Sequence, residues 1–274
     1  MASDLKKFND VIGNVKTKEY LQKVLGDKSS TFVTNVTTLV ANNEMLQECE
    51  PTTLMYAAMK ATSLDFALDN NLGFAYVLPY RNNKKGIVEA QFQIGYKGIV
   101  QLAVRSQQFK NINVTDVREG ELKGRDRRTG HVELEFIEDD AERDSKPIIG
   151  YLGYFKLLNG YEKETYWSIK ELEKHGLQYS QTYRKGYGVW KDNFDAMARK
   201  TVLKLMLNKG DAPMSVDMQQ AIKYDQSVIL DENGKAEYVD NKKIAPEDKA
   251  ADFIEEVKAE VVNDGDGTLF GGEA

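Results

Sequence analysis

The chain has 274 residues, 41% hydrophobic and 29% charged, with a formal net charge of −6, a composition that suits one large soluble domain or a medium domain with an appendage. It has no run of about 18 apolar residues to span a bilayer, no apolar signal core at the N-terminus, and too few cysteines and histidines (one and two) for a disulfide or a Cys/His zinc site. The expected location is the cytoplasm, and the charge is uneven: residues 1–210 hold 31 basic and 27 acidic side chains, residues 211–274 hold 6 and 16, the pattern of a polyanion-binding body with an acidic tail or of an ordinary domain with a solvated one.

In chain order, residues 1–50 are mixed and polar, with short helices expected near 15–25 and 31–48. A helix is expected over 51–68, opened by Pro51, with Met55, Ala58, Met59 and Thr62 on one face. Strands follow at 74–80 and 89–94 around a polar loop; in the second, Ala90, Phe92 and Ile94 alternate with Glu89, Gln91 and Gln93, the period of a half-buried strand. Residues 96–106 switch to helical spacing. Further strands are expected at 109–118, 131–138, 148–157 and 161–168, the last two joined through Asn159-Gly160, a strong hairpin signal. Ser168 and Glu171 form a capping box that opens a helix to about His175. A Tyr/Gly-rich loop spans 176–189. A helix from Asp192, its expected N-cap, to Asn208 then carries an apolar stripe of Phe194, Met197, Ala198, Thr201 and Leu205. Beyond Pro213 the pattern weakens into a linker with a small hairpin at Asn233-Gly234, and 247–262 could form an amphipathic helix before a disordered end. The expected fold is α+β, antiparallel hairpins packed with helices, with a detachable acidic C-terminal region: 1–50, 51–210 and 211–274.

Missing motifs sort the function. There is no phosphate-binding P-loop, no dinucleotide fingerprint and no nucleophile elbow, and Cys49 has no neighbouring histidine in sequence. His131 and His175 read as surface or cap residues. Glu133 and Glu135, followed by Asp139, Asp140 and Glu142, could hold Mg²⁺ for phosphodiester cleavage, but "VELEFIEDD" lacks the lysine that such nucleases place close behind, and an exposed acidic strand edge explains it better.

Positive signals lie in two places. "GRDRRTG" (124–130) puts Arg125, Arg127 and Arg128 in a Gly-bounded loop, where guanidinium forks could take phosphates. In 179–210, Tyr179, Tyr183, Tyr187 and Trp190 interleave with Arg184, Lys185 and Lys191, and the next helix carries Arg199, Lys200, Lys204 and Lys209, with Lys200 and Lys204 one turn apart. Rings that stack on bases beside cations that track phosphates are the common construction of single-strand binding sites.

Three segments in order resemble the phage RecT single-strand annealing family, relatives of the Red-beta recombinase: "QFQIGYKGIVQLAVRS" (91–106), "GYFKLLNGYEKETYWSIKELEKHGLQYS" (153–180) and "WKDNFDAMARKTVLKLML" (190–207). The resemblance covers roughly residues 50–210. It implies an ATP-independent protein of the bacterial cytoplasm that binds single-stranded DNA and an annealed duplex intermediate, forms rings or filaments, and needs neither cofactor nor catalytic residue. It also implies a phage 5′-to-3′ exonuclease and the host single-strand-binding protein as partners, with the C-terminal region as a partner-binding module and residues 1–50 in subunit contacts. By family position the expected DNA-binding residues are Gln93, Tyr96, Lys97, Arg105, Trp190, Lys191, Arg199, Lys200 and Lys204. By chemistry, Arg125, Arg127, Arg128, Tyr183, Arg184 and Lys185 join them. The alternatives are a passive single-strand coat and a Mg²⁺-dependent nuclease.

Overall fold

In a computed structural model, residues 2–69 and 71–238 are described. The N-terminal quarter is helical: α1 (Ala2–Gly13), α2 (Val15–Leu25), a 3-10 turn (Gly26–Lys28), α3 (Ser29–Ala41) and α4 (Glu44–Gln47). The sequence pattern missed α1, yet its Phe8 and Ile12 are core residues. The single helix expected over 31–48 is two, because the Asn43 side chain accepts from the amides of Met45 and Leu46 and starts a new helix there. Helix α5 (Pro51–Ser63) opens on its proline and buries Met55, Ala58 and Met59, with Leu54, Ala57 and Ala61 beside them.

Strands β1 (Ala75–Asn82) and β2 (Ile87–Ile94) form a hairpin, and α6 (Tyr96–Arg105) follows at once. Next come β3 (Phe109–Arg118), the short hairpin β4 (Leu122–Arg125) and β5 (Val132–Leu134), and a helical turn α7 (Asp140–Ser145). The expected strand 131–138 therefore stops at Leu134, paired with a β4 that its own "LKGR" gave little reason to expect. Strands β6 (Ile148–Leu157) and β7 (Glu162–Ser168) turn at Asn159-Gly160. Helix α8 (Ile169–Tyr179) begins with the expected Ser168–Glu171 capping box but runs past His175. The Tyr/Gly segment holds two short helices, α9 (Gln181–Arg184) and α10 (Val189–Asp192). Helix α11 (Phe194–Leu207) is capped by Asn193, whose side chain accepts from the Ala196 amide, so the expected Asp192 cap lies one residue early.

The expected linker after Pro213 folds: α12 (Val216–Tyr224), β8 (Ser227–Ile229) and β9 (Ala236–Tyr238), with the hairpin at Asn233-Gly234 in place. Strand β8 pairs with β2, giving an antiparallel sheet of order β1-β2-β8-β9; a second has order β3-β6-β7. No break at Asp211 separates a tail from the body among the described residues; the proposed helix at 247–262 lies outside them. One apolar core joins both sheets to α3, α5, α6, α11 and α12, and a smaller cluster of Val117, Val132, Leu152 and Tyr166 sits under β4–β5. The fold is α+β with antiparallel sheets, and no described helix is long and apolar enough to cross a membrane.

Candidate nucleic-acid interface

Helix α11 was expected to show a basic face to solvent, and the structure turns that face inward. Lys200 is 8% exposed, with its ammonium 3.1 Å from Asp225 Oδ1; Lys204 Nζ lies 2.6 Å from Oδ2 of the same carboxylate. Asp225, buried between α12 and β8, also accepts from the Ile94 amide at 3.1 Å. Burial alone would raise its pKa, but the two lysines outweigh that and hold the carboxyl below its usual range. Burial pulls the Lys200 amine down in turn. One carboxylate thus ties the β2–α6 junction, α11 and the 211–238 segment together. The 3.6-residue pattern could not reveal this, because the partner lies 25 residues downstream in a stretch with no marked periodicity.

Arg199 is also engaged within the fold. Its guanidinium donates to Asp195, to Asp116 at 2.9 Å and to the Val114 carbonyl at 2.8 Å. Asp116 also meets Arg118 and Arg143, and the fully buried Glu121 receives Arg143 Nε at 2.6 Å. Burial opposes charge on both acids, yet these arginines hold each below the usual carboxylate range. Arg105 donates to the carbonyls of Leu64 and Asp65 at 2.8 and 3.2 Å, at the C-terminal end of α5, and its guanidinium lies 5.1 Å from the Phe66 ring. Arg199, Lys200, Lys204 and Arg105, expected to contact phosphate, are thus each engaged by groups within the fold.

Trp190, expected to face DNA, is also packed within the fold. It is 6% exposed, packed on Gly176, Tyr183, Phe194 and His175, with ring centroids 5.7 Å from Tyr183 and Phe194. His175 is closed in by Trp167, Tyr179 and Trp190; burial, and then the Lys204 charge, push its pKa down to about 4, so the ring is neutral at neutral pH. The aromatic residues of this segment are mostly a packing cluster, and Tyr187 is the one ring among them exposed by more than half. Tyr183 is half-buried against Trp190.

The cations outside that cluster face solvent. Arg184 at the end of α9, Lys185 just after it and Lys191 on α10 are exposed, with no ion-pair partner among the described residues; Arg184 reaches the Gln178 carbonyl at 3.4 Å. Arg127 and Arg128 are exposed at the β4–β5 tip, where the Asp126 side chain accepts from the Arg128 amide and the Thr129 hydroxyl and shapes the turn. Arg125 lies over Tyr166 at 5.8 Å, and both Arg125 and Lys209 act on Glu171 at the start of α8. That places the arginine hairpin and Lys209 near the start of α8. Lys209 and Lys174 of α8 are exposed as well.

At the β2–α6 junction Lys97 is exposed, while Gln93 donates to Gln91 and Tyr96 sets its hydroxyl against the Val114 backbone. The acidic strand edge gathers nothing: Glu135 pairs with Lys123 at 3.0 Å, and no group of three or more His, Cys, Asp or Glu is placed to hold a metal ion among the described residues.

A sequence model of the RecT family matches residues 30–244. The chain belongs to the RecT family. It is 40% identical over 201 residues to the uncharacterized protein YqaK of Bacillus subtilis, covering 73% of this chain and 66% of that one. It is 26% identical over 196 residues to Protein RecT of Escherichia coli, covering 71% and 70%. The matched region takes in α12, β8 and β9, the segment that supplies Asp225.

For this RecT-family chain, the structure explains the glycines of the "IGYKG" segment. A Cβ on Gly95 would lie 2.0 Å from the Gly73 carbonyl oxygen, and one on Gly98 would lie 2.1 Å from that of Phe74. The chain entering β1 crosses the first turn of α6 at backbone contact, with the Gly95 amide donating to Phe74 at 2.8 Å. Only glycine permits that approach, which fixes the turn that presents Tyr96 and Lys97.

Proposed function

We propose that this protein binds single-stranded DNA through its phosphates and anneals it to a complementary strand without nucleotide hydrolysis. Membership of the RecT family carries the reading, and the exposed cations support it. Arg184, Lys185, Lys191, Arg127, Arg128 and Lys97 are solvent-facing and lack ion-pair partners among the described residues. Contacts of this type bind a polyanion without reading base edges, which must stay open to the incoming strand. Watson–Crick pairing then supplies specificity, and no covalent step is required.

Self-assembly into rings or filaments, with residues 1–50 in subunit contacts, belongs to the same proposal. So does service beside a 5′-to-3′ exonuclease and a host single-strand-binding protein contacted through the acidic C-terminal residues. The test is the rate at which fluorescent complementary oligonucleotides pair in nucleotide-free buffer. The protein should accelerate pairing; a passive coat would slow it, and cleavage of labelled DNA with Mg²⁺ would make the protein a nuclease instead.

A further inference from the structure

A cavity of about 520 Å³ opens between α2, α5 and the β8–β9 turn, far in sequence from the basic segments above. Tyr20, Tyr56 and Tyr224 contribute walls, and Lys60, in the last turn of α5, extends into it. The Lys60 ammonium lies 4.3 Å from the centroid of the Tyr224 ring and donates to the Gln220 side-chain oxygen. It has no carboxylate within ion-pair distance among the described residues. Lys163, Lys200 and Lys204, by contrast, each sit on an aspartate.

The charges around Lys60 come from four elements. Asp217 and Lys223 of α12 act on it in opposite senses, and Lys223 shares the Tyr224 ring at 5.6 Å. Asp231 and Glu232 line the cavity from the β8–β9 turn, while Lys28 and Asp65 pair with each other across its remaining side. Burial is the largest influence and, with Lys223, outweighs Asp217, pulling the amine down to about 8. At pH 7.5 roughly a quarter of Lys60 side chains are then free amine, against about 0.1% of ordinary lysines. A desolvated lysine beside a second cation is a standard way to make an amine nucleophilic.

The surroundings also select the electrophile. Asp231 and Glu232 repel anionic donors, whereas the tyrosine walls accept an uncharged, flat or apolar one. We propose that Lys60 is an acylation site for uncharged acyl donors of the thioester class. The amine attacks the carbonyl carbon, the C–N bond forms as the C–S bond breaks, and the leaving thiolate takes up the proton the nitrogen gives up. The amide product keeps one N–H for Gln220 but carries no charge for the Tyr224 ring face, so acylation loosens the contact between α5 and α12.

The test uses the full-length chain and does not depend on DNA binding. Acetylation by p-nitrophenyl acetate, and in a second arm by S-ethyl thioacetate, is followed residue by residue with peptide mass spectrometry from pH 6.5 to 10. The gain of about 200-fold in free amine is offset by the lower nucleophilicity of a weaker base. Lys60 should therefore react about tenfold faster at pH 7.5 than the exposed Lys18 and Lys235, with a rate that levels off above pH 8–8.5. Labelling of Lys60 no faster than those two lysines, or a rate still climbing tenfold per pH unit beyond pH 9, overturns the assignment. Lys60→Arg, checked for folding by circular dichroism, should lose the fast site and leave the others unchanged.

Discussion

Replacing Lys200 with Met separates a scaffold role from a DNA-binding one. The ammonium is 3.1 Å from an Asp225 carboxylate that is itself 1% exposed, and Met fills similar volume without the charge. Removing one partner of a buried ion pair costs about 3–5 kcal/mol when the other is stranded. Here Lys204 at 2.6 Å and the Ile94 amide at 3.1 Å remain on the carboxylate, so we expect a loss of about 2–3 kcal/mol. The assay is urea unfolding at neutral pH, alongside oligonucleotide binding from 50 to 300 mM salt. Lys200→Met should lose stability but keep the wild-type salt slope under conditions where it is folded. Lys191→Ala should change stability by less than about 0.5 kcal/mol and flatten the log–log slope by about 0.7 if it holds one phosphate. A Lys200→Met protein as stable as wild type, with a shallower salt slope, would refute the inward placement of this lysine.

Two further outcomes follow from the packing. Folding lowers the His175 pKa to about 4 from the ordinary 6.5, so the unfolded chain takes up the proton first as pH falls. Stability is full above about pH 6.5 and declines toward pH 4, by on the order of 2–3 kcal/mol from this group. Urea midpoints at pH 7.5 and 5 should therefore differ more in wild type than in His175→Phe, and equal differences would contradict a neutral, enclosed ring. Gly98→Ala must push the Phe74 carbonyl out of a 2.1 Å contact and should cost about 2 kcal/mol or more, measured by thermal melting; an unchanged melting temperature would mean that the β1 crossing is not held at that distance.

Elements defined by local signals were legible in the sequence. Pro51 at a helix start, Asn159-Gly160 between two strands and the Ser168–Glu171 box each act through neighbours within a few residues, and the structure has all three. Burial was harder to read where a distant segment decides it. Glu89 and Gln91 alternate as solvent-facing positions should, yet they are 1% and 3% exposed, because Asn82 and Lys85 close on the first and Gln91 donates to the Gln226 carbonyl. The same downstream segment captures Lys200 and Lys204.

The charge division also moves. Asp211 does not part body from tail, since the segment to Tyr238 completes a sheet. Residues 1–238 carry 33 basic and 33 acidic side chains, and the whole net charge of −6 belongs to 239–274. The proposed DNA affinity would then rest on the local arrangement of cations on a body with no net charge.

The most direct measurement compares annealing rates of complementary oligonucleotides, without nucleotide, for wild type and for the combined Arg184→Ala, Lys185→Ala and Lys191→Ala variant. All three side chains are exposed and lack ion-pair partners among the described residues, so the variant should unfold in urea like wild type. The account predicts that wild type accelerates annealing and that the variant loses most of that acceleration. A variant that anneals as fast as wild type at the same salt concentration would contradict it.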